Sequence, residues 1–230
     1  MHLDCNGLRF EYPGSEVAVF DNLSFSMTGP GFNAVFGPSG VGKTSFAKLL
    51  VSRGNKPESN ISTPGIHTIL YSYNMERLPG WSSTGIHLDK VCPEKSQELK
   101  KELIDIFKLK PLLNARFSQL SMGQQNRMNL IRYLLQDFDL LILDESLANV
   151  DEALRETILL GMKSLFPGKF FLCISHNLME VAKFCRDILV LSEPIKKKGS
   201  FMVRGQDYKH GYSLDKKAVD ATMLEIMDAF

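Results

Sequence analysis

The spacing of apolar and polar positions changes several times along this 230-residue chain. Near its start, "LRFEY" (8–12), "VAVF" (17–20) and "LSFSM" (23–27) are short strand-like segments whose alternation predicts an antiparallel N-terminal sheet. "FNAVF" follows, then a glycine-rich loop, then the helical pattern of "KTSFAKLLVS". Four later runs, "HTILYS" (67–72), "DLLILD" (139–144), "KFFLCIS" (169–175) and "DILVLS" (187–192), are continuously apolar between polar boundaries. Such runs predict strands buried on both faces of a mostly parallel sheet. Between Trp81 and Arg116 no strand pattern occurs; "PEKSQELKKELIDIFKLKPLL" instead carries Leu99, Leu103, Ile106 and Leu109 at helical spacing. The tail "SLDKKAVDATMLEIMDAF" predicts an amphipathic helix with Val219, Met223, Ile226, Met227 and Phe230 on one face, packed on the body. The fold class is therefore α/β: a mostly parallel sheet, an N-terminal antiparallel β subdomain and an inserted helical subdomain at about 82–137. The body spans residues 1–205 and the tail 206–230.

Composition adds exclusions. With 44% hydrophobic and 23% charged residues the chain is ordinary globular protein, and a net charge of +1 gives no global field for nucleic acid. "IKKKGS" (195–200) reads as a solvated loop. Cys5, Cys92, Cys173 and Cys185 have no CxxC spacing and read as buried, reduced thiols. "MHLDCNGLRFEY" carries no basic-then-apolar signal pattern, and no apolar run approaches the roughly 18 residues that span a bilayer. The expectation is a soluble, cytoplasmic protein that reaches a membrane only by docking on something else.

Candidate chemistry begins at "GPSGVGKT" (37–44), which matches the P-loop pattern G-x-x-x-x-G-K-[ST] in the right context, strand before and helix after. Gly37, Pro38, Ser39, Gly40, Val41, Gly42, Lys43 and Thr44 are thus candidate contacts to nucleotide phosphates. Backbone N–H groups from Gly40 to Thr44 would cradle phosphates at a helix N-terminus, Lys43 would meet the β- and γ-phosphates, and the Thr44 hydroxyl would ligate Mg²⁺. "LLILDE" ends an apolar strand in Asp144, a candidate Mg²⁺ partner, and Glu145, placed to polarise water for attack on the γ-phosphate. "CISHN" brings His176 to the same sheet edge as a candidate γ-phosphate contact. In "LSMGQQNR" (120–127), Ser121 and Gln124 have capping-box spacing. The cap does not explain Gly123, which costs about 0.5–1 kcal/mol relative to alanine in a helix.

The P-loop, "LSMGQQNR", "LLILDES", "LANVD" and "SHN", in this order over roughly residues 3–195, resemble the nucleotide-binding subunit of ABC transporters. The resemblance implies a P-loop NTPase core, ATP and Mg²⁺ as ligands, and hydrolysis. It implies that Tyr12 stacks on adenine and that Ser121, Gly123 and Gln124 contact the γ-phosphate of ATP held by another protomer. Asp151 belongs to a loop that reaches across the same interface, so ATP is sandwiched between two chains, a homodimer or a paired cassette. Transmembrane permease subunits and a solute-binding protein are implied partners, with the chain on the inner face of the cell membrane. Two positions depart from the family. Asn74 stands where a Mg²⁺-ligating glutamine is usual, so the resemblance implies that its amide meets Mg²⁺, through water if one methylene too short, and Met122 stands where glycine is usual. "LPGW" and "RDILVLSEP" are similar to the importers of nitrate and of sulfonates such as taurine. The functional expectation is the ATP-hydrolysing subunit of an ABC importer. The alternatives are a soluble ABC ATPase such as an iron–sulfur assembly protein, or a hydrolysis-poor regulator. A P-loop kinase would have no use for "LSMGQQ", and a GTPase would need an N-K-x-D-like base reader that the chain lacks.

Overall fold

The structure is a computed structural model and describes residues 1–15, 17–53, 60–74, 76, 82–192 and 200–228. Strands β1 (His2–Phe10) and β2 (Phe20–Thr28) pair antiparallel and, with the two-residue β4 (Ile61–Ser62), form a three-stranded sheet in the order β2-β1-β4. The antiparallel N-terminal sheet is therefore present, but its strands differ from the expected segments. β1 starts six residues earlier than "LRFEY" and ends before Tyr12, and residues 17–19 of "VAVF" are not strand. The register shifts between Cys5 and Leu8 and again between Leu8 and Phe10, with Gly7 at φ 63°. Such bulges break the two-residue period from which a strand is read.

The second sheet has the order β5-β6-β7-β3-β8-β9. Its strands β3 (Gly31–Phe36), β5 (Ile69–Tyr73), β6 (Leu140–Asp144), β7 (Phe170–Ser175) and β8 (Asp187–Val190) are parallel, and β9 (Phe201–Arg204) closes it antiparallel to β8. Every residue of β6, β7 and β8 is buried, as their unbroken apolar runs predict. The reason is a core on each side. Leu140 and Ile142 of β6 and Phe170, Leu172 and Ile174 of β7 pack with the N-terminal sheet, while Leu141, Leu143, Phe171 and Cys173 pack with the helical layer. β5 does not follow the expectation of two buried faces: as an edge strand it leaves Ile69, Leu70 and Tyr71 half-buried and Tyr73 exposed. His67 and Thr68 stay out of it because their N–H groups donate to the Asp139 carboxylate at 2.8 and 3.0 Å.

Helix α1 (Lys43–Arg53) follows the glycine-rich loop. The named elements of the insertion are all helical: α2 (Thr84–Val91), α3 (Gln97–Ile106) and α4 (Met122–Leu134), with 3-10 turns between them and one isolated bridge from Ser83 to Arg116. Leu103 and Leu109 are fully buried there, and Leu99 and Ile106 pack partly buried on the same cluster. Helices α5 (Glu152–Leu165) and α6 (Leu178–Phe184) flank β7 in the chain. All four cysteines are buried and free. The run "IKKKGS" falls almost wholly outside the described residues.

After β9, the N–H groups of Gly205, Gln206, Asp207 and Tyr208 donate to the carbonyls of Arg186, Ala182, Cys185 and Lys183, which joins the tail to the end of α6. Helix α7 (Lys216–Met227) then packs on α6 and β9. Its buried stripe is Val219, Thr222 and Ile226: Val219 and Ile226 are as expected, and Thr222 joins them in place of the methionines. Met223 is half-buried, Met227 is 57% exposed, and Phe230 lies outside the described residues. The stripe turns toward Thr222 because that hydroxyl donates to the Arg204 carbonyl of β9 at 3.1 Å, satisfying a polar group inside the contact. Ile226→Ala should therefore cost about 2–5 kcal/mol in urea denaturation, and Met227→Ala no more than about 0.5 kcal/mol. Equal losses would mean that the helix packs on another face.

Candidate nucleotide-binding site

Residues 37–42 carry the chain from the end of β3 into the first turn of α1. Two of the loop glycines are required by close approach. A Cβ on Gly37 would lie 2.6 Å from the Leu191 carbonyl oxygen, and one on Gly42 (φ +106°) 2.5 Å from a Val19 methyl. Gly40 (φ +84°) has the opposite surroundings, with nothing within 4 Å of the Cβ position, so the loop is open there. The Lys43 ammonium donates to the carbonyls of Gly37 and Pro38, both at 2.7 Å. Burial lowers its pKa, opposed by the nearby Glu145 and Asp144 carboxylates.

The Thr44 hydroxyl donates to Asp144 Oδ2 at 2.9 Å, joining α1 to the end of β6. The same oxygen accepts from the Tyr71 hydroxyl at 2.7 Å. Burial, and after it this hydrogen bond, push the Tyr71 phenol well above its usual pKa. Sequence reasoning passed over Tyr71; the available signal was a phenol in the strand that runs beside "LLILD". A cleft of about 610 Å³ opens here, lined among others by Gly40, Lys43, Thr44, Tyr71, Asp144 and Glu145. Among the described residues no three His, Cys, Asp or Glu side chains converge as a metal cage. One carboxylate, one hydroxyl and an open phosphate cradle instead suit Mg²⁺ carried in with a nucleotide.

Glu145 takes a left-handed backbone conformation (φ 51°), which costs a non-glycine residue about 1–3 kcal/mol. Its N–H donates to the Ile174 carbonyl at the end of β7, and its own carbonyl accepts from Ala148 N–H, so both flanks hold the turn. The carboxylate meets His176 Nδ1 at 2.8 Å, which unites the two residues expected at this edge. Tyr12 stands just beyond β1, 48% exposed, its hydroxyl 2.6 Å from Ser45 Oγ on α1 and its ring edge-on to Phe10. An aromatic face is thus presented beside the loop.

Asn74 lines the cleft, but its amide oxygen accepts from Asn126 Nδ2 of α4 at 2.9 Å, so the oxygen expected to meet a metal is engaged elsewhere. Glu76 extends the tie: its carboxylate accepts from Arg132 and Tyr133, and its carbonyl from Asn129. The exit of β5 is thereby clamped along one face of α4.

Ser121, Gly123, Gln124 and Asp151 do not line this cleft. The capping box is present: Ser121 Oγ accepts from Gln124 N–H at 3.3 Å and Gln124 Oε1 from Ser121 N–H at 2.8 Å. Asp151 caps α5 by accepting from Leu154 N–H at 2.9 Å. Gly123 is buried, and a Cβ there would lie 2.2 Å from the Asn149 carbonyl oxygen, so its bareness has a reason within the chain: the start of α4 lies against the loop after β6. Met122 beside it is 53% exposed. The "LPGW" segment lies outside the described residues.

A family model described as ABC transporter matches residues 20–148, more than half of the chain. The phosphonates import ATP-binding protein of Rhodopseudomonas palustris is 30% identical over 207 residues, covering 75% of this chain and 74% of that protein. The chain belongs to the ABC transporter ATPases. The nickel import ATP-binding protein of Escherichia coli is 28% identical to this ABC ATPase over 200 residues, 76% of this chain and 75% of that one. A solved inward-facing transporter of the metal-chelate type superposes with a TM-score of 0.68 at 20% identity, covering 88% of this chain and 82% of that chain, which bears out the fold. As an ABC ATPase the protein binds ATP with Mg²⁺. The open cradle at Gly40 and the Thr44–Asp144 pair have the chemistry for both.

Alanine favours a helix over glycine by about 0.5–1 kcal/mol, yet Gly123→Ala in this ABC ATPase should destabilise the nucleotide-free monomer by about 1–3 kcal/mol. Chemical denaturation measures this. Unchanged or raised stability would leave Gly123 with an intermolecular purpose only.

Proposed function

We propose that this chain is the ATP-hydrolysing subunit of an ABC importer, working as a homodimer on the inner face of the cell membrane. In this reading it couples to transmembrane permease subunits and, through them, to a solute-binding protein, without nucleic acid. The observation that carries it is the Glu145–His176 pair, 2.8 Å apart, at the end of the strand that presents Asp144 to the P-loop cleft. The phosphonate and nickel relatives, both import proteins by name, support import. The solute is a small molecule: the likeness to nitrate and sulfonate importers rests on "LPGW" and "RDILVLSEP", and these two relatives are named for other solutes. Residues 1–205 are assigned to the ATPase domain, with the helical subdomain at about 82–137 and the tail at 206–230.

Each residue has its own part of the work. The N–H groups from Gly40 to Thr44 and the Lys43 ammonium face the phosphates and stabilise charge that develops on the transferring group. Thr44 and Asp144 hold Mg²⁺, which neutralises phosphate charge when bound. Glu145 takes the proton of the attacking water and is oriented by His176 Nδ1; a doubly protonated imidazole, a donor at both nitrogens, would also donate from Nε2 to the γ-phosphate. The exposed ring of Tyr12 stacks on adenine. Ser121 accepts from Gln124 in its own cap and keeps its hydroxyl hydrogen to donate, so Ser121, Gly123 and Gln124 serve the γ-phosphate of ATP in the other protomer. Asp151 stands beside that interface. Asn74 we assign to α4 through Asn126, which leaves the metal to Thr44 and Asp144.

Glu145→Gln should lower hydrolysis by at least about 100-fold and accumulate an ATP-bound dimer. A variant that stays monomeric on size exclusion in saturating Mg·ATP would defeat the two-chain site. The same variant, co-purified with permease subunits and reconstituted in vesicles, should abolish solute uptake, and uptake that continues would remove the chain as the energy source. Ser121→Arg should abolish hydrolysis while a fluorescent ATP analogue still binds within about threefold of wild type. Failure of binding as well would point to a misfolded chain.

A further inference from the structure

We propose that Tyr71 is a positioning residue for the metal end of the site: from β5, its hydroxyl fixes which oxygen of Asp144 is presented to Mg²⁺. The inference rests on the assignment of Thr44 and Asp144 to Mg²⁺ under the proposed function. Both side-chain donors that reach Asp144, Thr44 at 2.9 Å and Tyr71 at 2.7 Å, fall on Oδ2. Among the described residues, Oδ1 has no side-chain donor and keeps its lone pairs for a cation's ligand shell. Thr44 alone would serve poorly as the anchor, because the same hydroxyl oxygen is wanted by the metal. Tyr71 has no such second duty.

Tyr71 is built to hold this position. Its backbone sits in the β5–β6 ladder opposite Ile142, so the phenol enters the cleft from a strand rather than a loop. Its ring stacks on Tyr73 at 5.7 Å and 25°, which restricts the rotation that would withdraw the hydroxyl. Asn74, the residue of this segment expected to act on the metal, has turned its amide oxygen to Asn126 and touches Asp144 only through a backbone N–H, at 3.1 Å from the carbonyl. A group that hydrogen-bonds a metal-ligating carboxylate sets its orientation, and loss of such a group typically costs 10–100-fold in metal affinity or activity.

Tyr71→Phe removes the hydroxyl and keeps the ring. The test titrates Mg²⁺ against a fluorescent ATP analogue, with EDTA controls, in wild type, Tyr71→Phe and Asp144→Asn; steady-state hydrolysis is measured over the same Mg²⁺ range. For Tyr71→Phe the apparent Mg²⁺ constant should rise about tenfold in both assays. Binding in EDTA should stay within about twofold, and kcat at saturating Mg²⁺ within about threefold. An unchanged or lowered Mg²⁺ constant would overturn the role of Tyr71, as would an equal loss of binding in EDTA, the mark of a merely structural residue. If Asp144→Asn leaves the Mg²⁺ dependence intact, or wild type shows none, the metal assignment itself fails and the inference with it.

Discussion

The buried carboxylate of Asp144 accepts from Thr44 and Tyr71 on one oxygen, tying the first turn of α1 and the edge strand β5 to the end of β6. A carboxylate out of water without donors is costly, whereas hydrogen bonds to a charged group are each worth about 1.5–3 kcal/mol. The cleft geometry results from that satisfaction. The P-loop helix cannot move from the sheet without taking one of its two side-chain donors from Asp144, and the phenol of an edge strand supplies the other. The same carboxylate thus joins three elements of the fold at the cleft.

The loop leaving β6 extends the constraint outward. Glu145 turns the chain through a left-handed residue held from both sides, and Ser146 donates into β5 at Ser72. The loop then passes close enough to the start of α4 that only glycine fits at 123. Asn126, Asn129, Arg132 and Tyr133 of α4 return to the exit of β5. Cleft and helical insertion are therefore joined by two routes, one behind β6 and one behind β5. The segment "LSMGQQNR" carries contacts in both directions: its cap and Gly123 at one end, Asn126 at the other.

Much of this was legible in the residues. Continuous apolar runs revealed β6, β7 and β8 because both faces of each are buried, and the P-loop, Asp144, Glu145 and His176 were found because their chemistry is written into short local patterns at strand ends. β4 and β9 were not legible, being two and four residues long. The N-terminal strands were misbounded because bulges at 5–10 erase their period. On α7 the apolar pattern pointed to Met227, while a hydrogen bond from Thr222 to β9 decided the packed face.

Tyr71 and Asn74 mark the same boundary within the site. A tyrosine in an apolar run reads as strand packing, and an asparagine near a family's glutamine reads as its substitute. Their actual partners, Asp144 and Asn126, stand 73 and 52 residues away. The sequence by itself determined the fold class, the phosphate loop, the acidic strand end and its histidine, because each depends on periodicity or on neighbours a few residues apart. Only the tertiary structure decided which donors share the Asp144 oxygen, where the Asn74 amide points and why Gly123 is bare. Those depend on side-chain directions set by sheet register and helix packing, which no local pattern encodes.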